Sequence, residues 1–280
     1  MRKPVVSGQF YPANKDELVT QIKSFKSVDF TKEQIVFAGI VPHAGYVFSG
    51  ESASQVFQTM QKNYDVLIML GPNHTGIGST GICDQDWETP LGTVRFASDW
   101  QKQFAGVPVD NAAHQNEHSI EVQMPFVKYY LPDTPVVPIG VANINDVQNL
   151  ADVLANVVLN NPDKNIGLVV SSDFTHYGPA FGYVPFNENI KQKMHELDKK
   201  AIDLILTVEP ERFLDYLKQT KATICGMLPI MVLLRTCQIL PWNIKGELLD
   251  YYTSGDVTGD YSNAVGYAGI VFEKKSNSEK

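Results

Sequence analysis

Residues 166–176 read IGLVVSSDFTH, a short apolar run of strand length that ends in polar residues. Two other stretches share that form: IVFAGIVPHAGY at 35–46 and DVLIMLGPNH at 65–74. Each run is short and apolar and reads as a strand. The reading places His43, His74 and His176, with Asp173, just beyond the C-terminal ends of three strands. In open α/β sheets ligands lie in the crevice outside those ends, so residues distant in sequence can meet there. One polar, metal-capable site is the expectation.

Working outward, strand patterns alternate with helical ones, which predicts an α/β fold. Leu18, Ile22 and Phe25 have helical spacing in 14–26, and a helix is expected over SASQVFQTMQK (52–62). After His74 the chain is glycine-rich. ETPLGTVRF (88–96) then reads as a hairpin bordering the site, because Pro90 and Gly92 supply turn geometry. EHSIEVQMPFVKYYL (117–131) suits a helix that Pro125 should kink or open irregularly. TPVVPIGV (134–141) is a further buried strand, and 145–159 and 187–206 are amphipathic helices. Pro210 and Pro229 belong to the first turns of two later helices, which puts Cys225 at or just before a helix N-terminus. KGELLDYYTSGD (245–256) and SNAVGYAGIVFE (262–273) close the chain as antiparallel strands at an edge of the sheet.

The 280 residues suffice for one large domain spanning 1–280, with 273–280 as a frayed tail. A net charge of −8 argues against nucleic-acid binding, which needs clustered Lys and Arg. No stretch approaches the apolar length of a membrane span and no signal-type h-region opens the chain, so the protein is expected in the cytoplasm, without a membrane partner. Three cysteines, an odd number without a framework, read as thiols.

Imidazole and thiolate donors suit iron, copper or zinc better than Mg²⁺ or Ca²⁺, and His43, His74 and Cys225 are the candidate ligands. A helix start favours the Cys225 thiolate, so Cys225 is expected to be the reactive thiol, with Cys237 in a core and Cys83 unassigned. Asp173 and His176, spaced i, i+3, would meet in a helical turn. The carboxylate could then orient the imidazole for proton transfer or hold it beside a metal. Glu117, His118 and Glu121 form a second polar cluster. It reads either as a capped helix start or as a catalytic contributor through His118. His195 reads as part of a solvated helix face and is given no role, and His114, in the loop HQNEH, is a weaker candidate still. The motifs of dinucleotide-binding, P-loop, α/β-hydrolase and HExxH proteins are absent.

PHAGYVFSG, LGPNH, EHSIEVQMPF, SSDFTHYG and TICGMLPI, with the opening SGQFYP and the ETPLG segment, resemble the Memo family, also called AmmeMemoRadiSam system protein B. The matches run in order over nearly the whole chain. The resemblance implies a single three-layer α/β/α domain with a mostly parallel or mixed sheet, similar to class III extradiol dioxygenases. It also implies a metal site at His43, His74 and Cys225 with Asp173 and His176 beside it, and iron or copper ahead of zinc. The ring-opening dioxygenases use two His and a carboxylate where this chain has Cys225, so their activity does not transfer on fold alone. The family further implies pathway partners with AMMECR and radical SAM domains. Two functions follow as expectations: a nonheme metal-dependent oxidoreductase acting on a small substrate, or a noncatalytic module whose cleft holds a peptide, a phospho-ligand or a metal.

Overall fold

The computed structural model describes residues 1–28 and 35–275, the side chains of Ile35 and Lys275 excepted. In chain order it forms α1 (Lys15–Ser24), β1 (Ile35–Val41), α2 (Tyr46–Thr59), β2 (Val66–Pro72), β3 (Gly81–Ile82), β4 (Trp87–Thr89) and β5 (Gly92–Val94). Next come α3 (Asn111–Gln115), α4 (Met124–Tyr130), β6 (Val136–Val141), α5 (Val147–Leu159), β7 (Ile166–Ser171) and β8 (His176–Tyr177). Helices α6 (Ile190–Leu206), α7 (Pro210–Thr220) and α8 (Met227–Ile239) follow, then β9 (Asn243–Thr253), α9 (Ser254–Thr258) and β10 (Ala264–Lys275).

Eight strands make one mixed sheet in the order β3-β6-β2-β7-β1-β10-β8, with β9 also paired to β10. β6, β2, β7 and β1 are parallel neighbours, while β3, β10, β9 and β8 run antiparallel to their partners. Alternation along each strand divides the core between the two faces. In β2, Val66, Ile68 and Leu70 join the cluster that contains Leu150 and Leu154 of α5 and Leu233 and Leu234 of α8. Leu67 and Met69 join the opposite cluster, with Val56 and Phe57 of α2 and Phe126 of α4. Helices therefore cover both sides, and each buried aliphatic chain contributes roughly 1.5–3 kcal/mol.

The expected strands and helices form, with three differences. Helix α2 starts at Tyr46 rather than Ser52, because tertiary packing overrides the glycine-rich local sequence. The Tyr46 ring stacks on Phe126 at 4.4 Å and its N–H donates to the Phe10 carbonyl. The closing strands sit differently too: β9 occupies the outer position, while β10 lies inside against β1. Of the expected tail, Glu273 and Lys274 pair with β1 and β9 instead of fraying, and residues 276–280 lie outside the described residues. The 88–96 hairpin forms as β4 and β5, and Pro125 stands in the first turn of α4 after a 3-10 turn at Glu121–Gln123. Among the described residues no helix is long and apolar enough to cross a membrane.

Candidate metal centre

The neighbours β2, β7 and β1 bring their C-terminal ends together, with Leu70 level with Val170 and Val41 level with Ser171. The chain leaves β1 through Pro42 and β2 through Asn73, so His43 and His74 approach each other across the end of β7. Their rings lie 5.2 Å apart.

Hydrogen bonding fixes the His43 tautomer. The Ser171 hydroxyl donates to the Ser119 carbonyl at 2.6 Å and accepts from Gln123 Nε2 at 3.1 Å. Its one proton is thus committed, so at 3.0 Å from His43 Nδ1 it accepts. Nδ1 carries the ring proton, and the Nε2 lone pair faces Cys225 Sγ at 3.1 Å. His74 is set in the same way by a carboxylate: Glu117 Oε1 lies 2.9 Å from Nδ1 and can only accept, which leaves Nε2 free when the ring is neutral. Glu117 also accepts from the main-chain N–H groups of His74, His118 and Ser119. Desolvation opposes its charge, but the His74 ring and these backbone donors outweigh it and hold the carboxyl below the usual range.

Cys225 immediately precedes Gly226, the N-cap of α8. The Gly226 N–H donates to Ser172 Oγ at 3.0 Å, and a Cβ at 226 would fall 2.3 Å from Ser172 Cβ. Only glycine lets the helix start approach β7 closely enough to bring the thiol over the strand ends. Gly226→Ala should cost about 1–3 kcal/mol in chemical denaturation by overpacking and should change the rate of Cys225 alkylation. An unaltered midpoint with unaltered labelling would refute this account.

His43, His74 and Cys225 each offer a ligand atom, all within 4.8 Å of one another, a group that could hold a metal ion. Burial pushes the His43 pKa well below normal, and His74, His118 and His176 push the same way, so the imidazole stays neutral and its Nε2 available. Cys225 corrects an expectation. The residue retains part of its surface, yet desolvation first and the Asp173 carboxylate second drive its pKa well above the usual thiol value. The Asp173 N–H, 3.2 Å from Sγ, and the helix start do not overcome them. Without metal the pair is neutral, S–H facing Nε2, and alkylation at pH 7 should be slow. A metal ligated by this sulfur would displace that proton, so metal affinity should rise about tenfold per pH unit between roughly pH 6 and 8 in chelator competition. A flat profile would show that the sulfur is not a ligand.

The other candidates fall into place around this group. His118 stacks on His74 at 4.9 Å, meets His43 edge-on at 5.5 Å and carries Phe10 against its outer side at 5.1 Å. With His74 and Glu117 it makes a second potential ligand group. Desolvation lowers its pKa despite Glu117. His176 Nδ1 faces two carbonyls, Phe174 at 3.0 Å and Thr223 at 3.2 Å, so it is the donor and Nε2 is unprotonated when the ring is neutral. Phe181 packs against that ring.

Asp173 and His176 do not form the expected pair. After β7 the chain stays extended: Phe174 N–H donates to the Gly266 carbonyl and His176 pairs with Val265, so the i, i+3 spacing does not stack the two side chains. Asp173, 4% exposed, instead accepts the His43 main-chain N–H at 2.7 Å. Desolvation raises its pKa, with His176 and the backbone donors opposing. Glu121 also turns away, toward Arg2 and the N-terminal segment. The β4–β5 hairpin supports the site at one remove, since Trp87 of β4 packs on Arg2 and His114. His114 is buried and bonds the Gly81 carbonyl, Cys83 and Cys237 are buried, and His195, half-buried, packs on Tyr251 and lies near Asp256.

Glu117 is the site residue that sequence reading left without a partner, although its place in NEHSIE was a signal. Asp198 is the other missed residue. Its signal was its phase, for Met194, Asp198, Ala201, Ile202 and Ile205 share the buried face of α6.

Comparison with known proteins agrees with this architecture. The chain is 36% identical over 280 residues to a MEMO1 family protein of Methanosarcina barkeri, covering 98% of this chain and 100% of that one. A MEMO1 family protein of Thermococcus onnurineus is 35% identical over 292 residues, with 98% and 100% covered, and one from Nitrosopumilus maritimus is 36% identical over 286, with 97% and 99% covered. The crystal structure of an uncharacterized Escherichia coli K12 protein shares the fold, with a TM-score of 0.50 at 13% identity over 84% of this chain and 99% of that one. The family model described as Memo-like protein matches residues 2–271, and with these full-length relatives it shows that the chain belongs to the Memo-like family.

Proposed function

We propose that the chain is a metal-dependent redox protein in which His43 Nε2, His74 Nε2 and Cys225 Sγ hold an iron or copper ion at the strand-end cleft. The observation that carries the reading is the pair of locked tautomers. Ser171 and Glu117 each take the Nδ1 proton of one imidazole, and one ligand atom from each of His43, His74 and Cys225 lies within 4.8 Å of the others. Ligating histidines are commonly oriented by such outer partners. Two imidazoles and a thiol that ionises on binding form a donor set suited to intermediate and soft cations.

A bound iron or copper ion would supply one-electron chemistry and open positions for a small ligand. The chain's own residues do the rest. His176 Nε2 is the free base that takes a proton from a ligand in the cleft, its ring held by two carbonyls. His118 fills the side next to His74, where its lowered pKa keeps it uncharged. Asp173 anchors the main chain of the His43 turn. Phe10 beside His118 and Phe181 beside His176 favour a ligand with an apolar body.

The test is metal loading of reduced protein under anaerobic conditions with Fe(II), Cu(I) or Zn(II), followed by elemental analysis and O₂ uptake with catecholic compounds. Expected are about one iron or copper per chain, its loss in Cys225→Ser, and O₂ uptake that needs both metal and substrate. Metal without O₂ uptake would favour the noncatalytic module. A full metal complement in His43→Ala/His74→Ala would sink the site itself.

A further inference from the structure

Asp198 is a fully buried carboxylate, 0% exposed, on the apolar face of α6. Its oxygens are aimed at the segment that carries His176. Oδ1 accepts the Thr175 main-chain N–H at 3.2 Å and the Thr175 hydroxyl at 2.5 Å, while Oδ2 accepts the Tyr251 hydroxyl of β9 at 2.7 Å. The space is shaped around it: a Cβ on Gly266 of β10 would fall 2.2 Å from Oδ2. Burying a carboxylate is costly unless donors surround it, and a leucine would fill an interior position without that cost. The charge therefore calls for an explanation beyond packing.

We infer that Asp198 is the positioning residue of His176, fixing through Thr175 the backbone from which the ring is presented and acting on the ring by its charge. The inference rests on the proposed function only in giving His176 a proton to carry. The neighbouring residues show why Thr175 is the point of control. Phe174 N–H bonds the Gly266 carbonyl, Gly266 N–H bonds the Thr175 carbonyl, and His176 N–H bonds Thr223 Oγ1. Of these three consecutive residues, Thr175 alone has its N–H held by a carboxylate, one residue before the imidazole. Asp173, the nearer acid in sequence, is occupied with the His43 turn.

The charge at Asp198 is also variable. Desolvation raises its pKa to about 6, with Thr175, Tyr251 and His176 opposing, and imidazoles titrate in the same range. The titratable groups that face it are Tyr251 from β9, His176 from β8, Tyr183 from the loop after β8 and Tyr216 from α7, whereas β10 presents Gly266. On its own helix, His195 packs on Tyr251 and lies near Asp256. Burial raises the pKa of all three tyrosines, so none of them carries charge near pH 6.

The experiment is an imidazole NMR titration of the metal-free full chain as wild type, Asp198→Asn and Tyr251→Phe. The His176 resonance of the wild type should show an added inflection near pH 6. Asp198→Asn preserves shape and removes the titrating carboxylate, so that added inflection should disappear from the His176 curve. Tyr251→Phe removes one donor from the carboxylate without touching Thr175, and should move the added inflection to higher pH. Identical His176 curves in wild type and a folded Asp198→Asn would overturn the inference. If Asp198→Asn fails to fold, Tyr251→Phe decides: an upward move supports the role, and an unmoved curve overturns it. Because the chain is metal-free throughout, a failure to bind metal would remove the proposed function and leave this result standing.

Discussion

Replacing His74 by alanine should abolish tight metal binding, and Glu117→Gln should weaken it about 10–100-fold while leaving all three ligands in place. The carboxylate fixes His74 twice, through Nδ1 and through the main-chain N–H, and so sets both the tautomer and the position of Nε2. A glutamine keeps the shape but turns an amide NH₂ toward a cluster built from donors: the His74, His118 and Ser119 N–H groups and His74 Nδ1–H. At least one of them then loses its acceptor, at a cost of roughly 1–3 kcal/mol, or the ring flips and presents the wrong nitrogen. Chelator competition with iron and copper measures the first effect and thermal unfolding the second. Wild-type affinity in Glu117→Gln would mean that His74 does not bind through a carboxylate-locked Nε2.

The positions of His43 and His74 were legible because their signal is local: an apolar run of strand length followed by a polar residue places that residue just past the strand's C-terminal end, whereas His176, read the same way, opens the separate strand β8. Their convergence needed the strand order, which brings β2, β7 and β1 side by side. What stayed hidden depends on partners distant in sequence. Glu117 and Glu121 stand in one short motif and look equivalent, yet the first reaches His74 and the second reaches Arg2, because the 3-10 turn at Glu121–Gln123 points them to different sides. The Asp173–His176 pairing failed for a related reason. Spacing i, i+3 implies contact only in a helical turn, and here hydrogen bonds to β10 keep the chain extended. The thiol was misjudged because a helix start is visible in sequence whereas depth is not, and at Cys225 desolvation is the largest influence.

Arg2→Met should lower stability by about 3–5 kcal/mol, the usual cost of removing one partner from a buried ion pair. For a chain of this size that is a fall in Tm of roughly 6–20 °C. Arg2 is 5% exposed and Glu121 1%, and they meet at 2.7 Å. The guanidinium also donates to the carbonyls of His114 and Glu117 and lies over the Trp87 ring at 4.2 Å, so methionine can replace the packing but none of the hydrogen bonds. Glu121 in turn accepts the Val5 and Val6 N–H groups and the Tyr11 hydroxyl, which fastens the N-terminal segment, Phe10 included, beside the histidines. The two residues thus tie the opening segment to the turn that carries Glu117 and His118. Were the ion pair the main source of the loss, Arg2→Met should cost clearly less in a Glu121→Gln background, where no buried charge is left unmatched. An equal cost in both backgrounds would assign the effect to the carbonyl bonds and the Trp87 contact instead. The Glu117 carbonyl is among those bonds, so Arg2→Met should also loosen metal in the chelator assay, by less than Glu117→Gln does, because it disturbs the carboxylate's backbone and not the carboxylate.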